Sequence, residues 1–82
     1  MLRGGDGMYY TIASTRDYNG MTYVDFDKKG NKYVVAFYNK GRSEATRKEY
    51  SRLEDALQVY QRFVTAFITG TYSYEDRKGW LE

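Results

Sequence analysis

The sequence contains no cysteine and no histidine among its 82 residues. These absences exclude disulfides, zinc sites with thiolate or imidazole ligands, and the Cys–His and Ser–His catalytic pairs. No apolar run approaches the roughly 20 residues that a membrane helix needs. We therefore expect a cytoplasmic protein that is not an enzyme, that has no cofactor and no metal, and that binds neither a membrane nor a small-molecule substrate.

The chain is long enough for one small domain. A chain of this length buries only roughly 60% of the surface that its unfolded form exposes. Aromatic residues make up 18% of the sequence, and each buried ring contributes a large apolar area to a small core. We expect the glycine-rich residues 1–7 to be a disordered leader and residues 8–82 to form a single α+β domain.

Alternating and β-branched segments predict an antiparallel meander of three or four strands. The predicted strands cover residues 8–13, about 21–28, 32–39 and 46–50. Asn19-Gly20 and Gly30-Asn31 are typical turns between the first three strands, because both residue types tolerate positive φ. Alternation places Val24 and Phe26 on the same face of their strand.

Residues 52–69 predict a long amphipathic helix that packs along the sheet. Ser51 and Glu54 form a candidate capping box, and Gly70 is the residue type that ends helices in the left-handed conformation. Apolar residues recur at steps of three and four. Of these, we expect Leu57, Tyr60, Val64 and Phe67 to be buried against Val24, Phe26, Val35 and Phe37.

Residues 72–81 predict a short second helix. Ser73 and Asp76 are spaced as a helix cap, and Trp80 and Leu81 supply an apolar side. We expect this tail to dock on its own domain. Undocked, Tyr74 and Trp80 would instead be suited to contact a protein partner.

Positive charge is concentrated in the middle of the chain. Residues 28–52 include eight basic and two acidic residues, a net charge of +6, whereas the remainder has five basic and nine acidic residues, a net charge of −4. Such a separation bears on the choice of partner rather than on the fold.

Tyrosines lie among these cations, and one helix covers only one face of a sheet. Alternation makes Tyr9, Tyr23 and Tyr38 candidates for the uncovered face. Rings beside Lys and Arg suit nucleic acid, because bases stack on rings and phosphates pair with cations. Tyrosines that merely pack across strands are the alternative. The candidate residues for binding nucleic acid or another partner are Lys28, Lys29, Lys32, Tyr38, Lys40, Arg42, Arg47 and Lys48.

A strand ending at Tyr38, the Gly41-Arg42 pair, Lys48-Glu49-Tyr50 and an aromatic helix follow one another over residues 33–70. This order resembles WGR domains, which are nucleic-acid-binding modules found in some poly(ADP-ribose) polymerases and bacterial proteins. The resemblance implies that Gly41 and Arg42 lie near bound nucleic acid. Lys40 stands where the family has its tryptophan, and a turn glycine beside a solvated arginine is the alternative interpretation.

Two acidic pairs are the remaining candidates for chemistry. Asp25 and Asp27 share a strand face and Glu75 and Asp76 are adjacent. Two carboxylates without further ligands are weak evidence for a cation site, so we expect solvated surface charge.

These observations favour a small non-catalytic module that binds nucleic acid or a nucleic-acid-associated protein. The alternative is a protein-binding inhibitor or adaptor of the kind that phages and mobile elements use against host nucleases, anti-CRISPR proteins among them. Phosphate-driven binding weakens steeply with salt, whereas an aromatic protein interface responds less.

Overall fold

The computed structural model describes residues 9–82, which form an antiparallel sheet covered on one face by two helices. The elements are β1 (Tyr9–Arg16), β2 (Thr22–Lys29), β3 (Lys32–Asn39), a 3₁₀ turn (Lys40–Arg42), β4 (Glu44–Tyr50), α1 (Leu53–Thr69) and α2 (Tyr74–Gly79). The predicted α+β fold is confirmed, with four strands in the order β1-β2-β3-β4. The predicted leader, residues 1–7, lies outside the described residues.

The hairpin of β2 and β3 determines the register at the centre of the sheet. Lys29 pairs with Lys32 across a two-residue turn, and the pairing continues without interruption to Thr22 opposite Asn39. A bulge in β1 between Thr11 and Ala13 shifts the register with β2. Because of this bulge, Thr11 lies on the same face of the sheet as Ser14 and Arg16 further along the strand.

The core lies between the sheet and α1. Strands β2 and β3 contribute Val24, Phe26, Val35 and Phe37, and α1 contributes Ala56, Tyr60, Phe63 and Phe67. Phe37 and Phe63 are both fully buried, with ring centroids 4.9 Å apart. Burial of such rings supplies much of the apolar area that holds this short chain together.

Two expectations about α1 were wrong in detail. Leu57, predicted to be buried, is 36% exposed, and Val64 is only half-buried, whereas Phe63 is inaccessible to solvent. The apolar stripe is wider than the sheet contact, so its margins meet water. Arg52 occupies the N-cap position, and no side chain among residues 9–82 caps this end, so Ser51 does not form the expected capping box.

The predictions for the helix ends further along the chain are confirmed. Gly70 adopts φ 64° and its N–H donates to the carbonyl of Ala66, which ends α1 in the left-handed geometry that glycine tolerates. Ser73 and Asp76 form a reciprocal capping box at the start of α2. Within residues 9–82 no helix is long and apolar enough to span a membrane.

The tail docks on its own domain, as predicted. Leu81 is buried, and the Trp80 ring meets Phe63 edge-on at 5.0 Å. Arg77 forms an ion pair of 3.2 Å with Asp17, in the turn between β1 and β2. The helices therefore cover one face of the sheet, and the other face, called the open face below, is left to solvent by residues 9–82.

Candidate functional site

The open face presents aromatic, basic and acidic side chains from all four strands. Strand alternation and the observed registers assign its members. They are Tyr9, Thr11, Ser14, Arg16, Tyr23, Asp25, Asp27, Lys29, Lys32, Val34, Ala36, Tyr38, Ala45, Arg47 and Glu49.

A stacked pair of tyrosines forms the centre of one row across this face. Tyr23 and Tyr38 are register partners, and their rings are nearly parallel, with centroids 4.6 Å apart and an interplanar angle of 9°. The guanidinium of Arg16 lies 5.2 Å from the centroid of the Tyr23 ring. On the other side of the row, Tyr38 pairs with the small, exposed Ala45. The register partner of Tyr38 on this side therefore contributes only a methyl group.

Arg47 lies in the next row along the strands. Its Nη2 donates a hydrogen bond of 3.5 Å to the Tyr38 hydroxyl, and this bond raises the pKa of Arg47 further. Its register partner, Ala36, is small and buried. The guanidinium can therefore lie across the middle of the open face, where it is within electrostatic range of Asp27.

A concave pocket opens beside this arginine. Its volume is about 390 Å³, and it is lined by Tyr9, Thr11, Asp25, Asp27, Tyr38 and Arg47. Asp25 accepts a hydrogen bond of 2.6 Å from Ser14. Asp27 is only 6% exposed, and its Oδ1 accepts no hydrogen bond from any residue in 9–82. The expectation that both carboxylates are solvated was thus wrong for Asp27.

The electrostatics of Asp27 reflect this burial. Desolvation raises the pKa of Asp27, and the charge of Asp25 raises it further, whereas a hydrogen bond from Thr11 and the charge of Arg47 act in the opposite direction. Within the described part of the chain, no group of three or more acidic or other metal-ligating residues comes together. The two carboxylates therefore make the pocket rich in hydrogen-bond acceptors, and one guanidinium lies at its edge.

The structure does not gather the eight predicted binding residues on one surface. Tyr38, Arg47, Lys29 and Lys32 lie on the open face. Lys29 is paired with Glu49 at 3.1 Å, and Lys32 is exposed beside it. Lys29 and Lys32 lie at the opposite end of the open face from the Tyr23–Tyr38 pair, with Asp25 and Asp27 between them.

The other four predicted residues lie elsewhere. Lys28 and Lys48 belong to the helix-covered side of the sheet, where they lie over the rings of Tyr33 and Tyr50. The remaining two, Lys40 and Arg42, are in the 3₁₀ turn at the far end of the sheet.

The Gly41-Arg42 pair has a structural role in this position. A Cβ on Gly41 would lie 2.8 Å from Cε of Met21, so a side chain there would require Met21 to move. Arg42 pairs with Glu75 of α2 at 3.3 Å, and its guanidinium lies 4.6 Å from the centroid of the Tyr74 ring. Gly41 thus allows close packing against Met21, and Arg42 helps to join the sheet to the tail.

Arg16, Thr11, Ala45 and the Asp25–Asp27 pair were not among the predicted binding residues. The pairing of Tyr23 with Tyr38 was predictable from the sequence, because counting outward from the two-residue turn after Lys29 places these residues opposite each other. The position of Arg16 was not predictable in this way, since it depends on a longer turn and on the bulge in β1.

Comparison with known proteins identifies no relative of this chain. No family model matches the sequence, and no curated protein and no solved structure shows significant similarity to it. The resemblance to WGR domains therefore stays a prediction.

Proposed function

We propose that this chain is a non-catalytic, cytoplasmic binding module whose open face binds single-stranded nucleic acid. The observation that carries the proposal is the row Arg16, Tyr23, Tyr38 and Ala45. It presents a stacked pair of rings with a cation on one side and a small residue on the other. An unpaired base can stack on the outer face of Tyr38, above Ala45 and beside the guanidinium of Arg47. Stacking of this kind contributes about 1–3 kcal/mol per base.

The cations of the open face are placed to contact the backbone of such a strand. Arg16 lies beside Tyr23 at one end of the tyrosine row and Arg47 lies in the next row, whereas Lys29 and Lys32 lie beyond Asp25 and Asp27, at the turn between β2 and β3. Eight residues of a strand span roughly 26 Å, which is long enough for several nucleotides. Single-stranded nucleic acid suits this face better than a duplex, because its bases are free to stack on side chains.

Neighbouring residues of β4 provide a matched pair for testing this proposal. Arg47 lies on the open face and Lys48 on the opposite face, so Arg47→Gln and Lys48→Gln remove the same charge from different sides of the sheet. We expect the chain to bind an oligothymidylate of about 12 nucleotides at about 50 mM salt. Arg47→Gln should weaken binding and reduce the slope of log K against log salt by about 0.7, the value for one single-strand phosphate contact.

Lys48→Gln is the control, and we expect it to leave the salt slope almost unchanged. Tyr38→Leu should reduce affinity by about 1–3 kcal/mol with little change of slope, because a stacking contact releases no counterion. Fluorescence anisotropy at several salt concentrations measures both quantities. Absence of binding at low salt would refute the proposal and favour the protein-binding inhibitor; equal effects of the two charge variants would place the nucleic acid elsewhere.

A further inference from the structure

Stacking of bases on Tyr38 does not explain the charged residues that line the pocket beside Arg47. Two carboxylates face it from β2, Thr11 from β1 and a guanidinium from β4. Its volume of about 390 Å³ lies within the range of small-ligand sites, about 300–1,000 Å³.

Asp27 is the residue that points to a ligand. More than nine-tenths of this residue is buried, and its Oδ1 lacks a hydrogen-bond donor among residues 9–82. A buried acceptor without a donor costs about 1–3 kcal/mol, so structural need alone does not explain it. Asp27 lines the pocket, so a group bound there lies beside a carboxylate that lacks a donor at one of its oxygens.

The charges around the pocket restrict the class of that group. A cationic ligand, such as the side chain of a partner's lysine or arginine, would have to approach the guanidinium of Arg47, which is already within electrostatic range of Asp27. A purely acceptor ligand, such as a phosphate, would meet two carboxylates. A neutral ligand with hydrogen-bond donors on one edge and acceptors on the adjacent edge can pair with both the carboxylates and the guanidinium of Arg47.

Among the nucleic-acid bases, guanine has this pattern. Its Watson–Crick edge offers two adjacent donors, N1–H and the 2-amino group, which match the two oxygens of one carboxylate. Its O6 and N7 are acceptors. The bidentate contact of a basic side chain such as arginine with these two atoms is the commonest specific contact between proteins and bases. Adenine and cytosine place a ring acceptor beside the amino group, and thymine or uracil offers a single donor between two carbonyls.

We infer that the pocket lined by Asp25, Asp27 and Arg47 binds an unpaired guanine of the strand that lies on the open face. The inference rests on the proposed function. It adds a base preference to a surface whose stacking contacts alone tolerate any base. In this arrangement Asp27 accepts from the guanine donors, Arg47 donates to its acceptors, and the Tyr38 ring supports a neighbouring base.

The test compares an oligothymidylate of about 12 nucleotides with the same strand carrying one central deoxyguanosine. We expect the guanine-containing strand to bind roughly tenfold more tightly, the effect of one good bidentate contact. Replacing that guanine by hypoxanthine, which lacks the 2-amino group, should remove most of the preference. Adenine or cytosine at the same position should bind no better than thymine.

Two variants separate a contact with the base from a change of net charge. Asp27→Asn and Glu49→Gln each remove one negative charge from the open face, but Glu49 does not line the pocket and pairs with Lys29. We expect Asp27→Asn to abolish the preference for guanine while the oligothymidylate still binds. Glu49→Gln should leave the preference intact.

Each outcome distinguishes this inference from the function on which it rests. If the oligothymidylate binds and guanine adds nothing, or if Glu49→Gln and Asp27→Asn act alike, the guanine pocket is refuted and the stacking surface stands. If no oligonucleotide binds at low salt, both are refuted. If guanosine monophosphate binds as tightly as the guanine-containing strand, the ligand is a free nucleotide, and the inference of a strand-borne guanine is overturned.

Discussion

Asp27 has an unusual position for a charged residue in so small a domain. It lies in the second strand of a four-stranded sheet, next to the buried Val34 on β3 and opposite Thr11 on β1. Buried carboxylates are normally paired or fully hydrogen-bonded. Here one oxygen has no donor from residues 9–82, and burial raises the pKa of the group. The ionised form therefore destabilises the fold.

This destabilisation has a definite dependence on pH. Because the pKa of Asp27 is higher in the folded than in the unfolded chain, its cost is absent well below the ordinary value of 3.8. The cost grows as the pH rises and is complete above the raised folded pKa. The groups that determine this shift are Thr11, Asp25 and Arg47.

Asp27→Asn should consequently stabilise the protein near neutral pH. We expect a gain of about 1 kcal/mol in the free energy of unfolding at pH 7, because the substitution removes a charge that burial disfavours and that lacks a donor at one oxygen. The gain should shrink towards zero as the pH approaches 3. Urea unfolding of both proteins across this pH range measures it, and a gain that did not depend on pH would show that the charge is not responsible.

At the scale of elements, α1 is held by a few rings rather than by its whole apolar stripe. Phe63 contacts Phe37 of β3, Phe67 of its own helix and Trp80 of the tail. Leu57, six residues earlier, is 36% exposed. Phe63 is therefore the residue of α1 at which sheet, helix and tail meet, while Tyr60 packs against Phe26 of β2.

This arrangement predicts a large difference between two substitutions in the same helix. Phe63→Ala should cost about 3–5 kcal/mol, the usual effect of removing a buried ring. That is a large share of the roughly 4–12 kcal/mol expected for a chain of this length. Leu57→Ala should cost less, about 1 kcal/mol, because Leu57 is 36% exposed and buries less apolar area than Phe63. Comparable losses in chemical denaturation would mean that α1 presents a different face to the sheet.

At the scale of the whole molecule, an ion pair connects α2, near the C-terminus, to the turn that follows β1. Arg77 and Asp17 are 60 residues apart in sequence, and both side chains are largely buried, at 12% and 15% exposure. The guanidinium also lies 5.5 Å from the ring centroids of Phe37 and Phe67. Such a pair is weakly screened by salt, unlike the exposed pairs elsewhere on the surface.

We expect Arg77→Ala to destabilise the fold by about 2–4 kcal/mol, because it leaves Asp17 without its ionic partner and removes packing from two rings. Arg77→Met, which keeps the apolar stem, should cost less. Fluorescence of Trp80, the single tryptophan, reports whether the tail stays docked. Unchanged stability in Arg77→Ala would show that Trp80 and Leu81 hold the tail without the ion pair.

Local features of this protein were predictable from the sequence because their causes act over a few residues. Strand β3 has the predicted bounds, since alternation and two flanking turns define it. Gly70 ends α1 and Ser73 caps α2, because each satisfies backbone groups within four residues. The failure at Ser51 shows the limit of such signals: the turn from β4 into α1 makes Arg52 the N-cap residue.

Only the tertiary structure decided which side chains meet. The residues from Lys28 to Lys48 are clustered in the sequence, yet the strand pleat and the 3₁₀ turn distribute their charges over two faces and both ends of the sheet. Conversely, β1 and β4 bring Thr11 and Arg47 to Asp27 across 16 and 20 positions of sequence. These contacts depend on strand register and on a bulge, which are set by packing across the whole sheet and not by neighbouring residues.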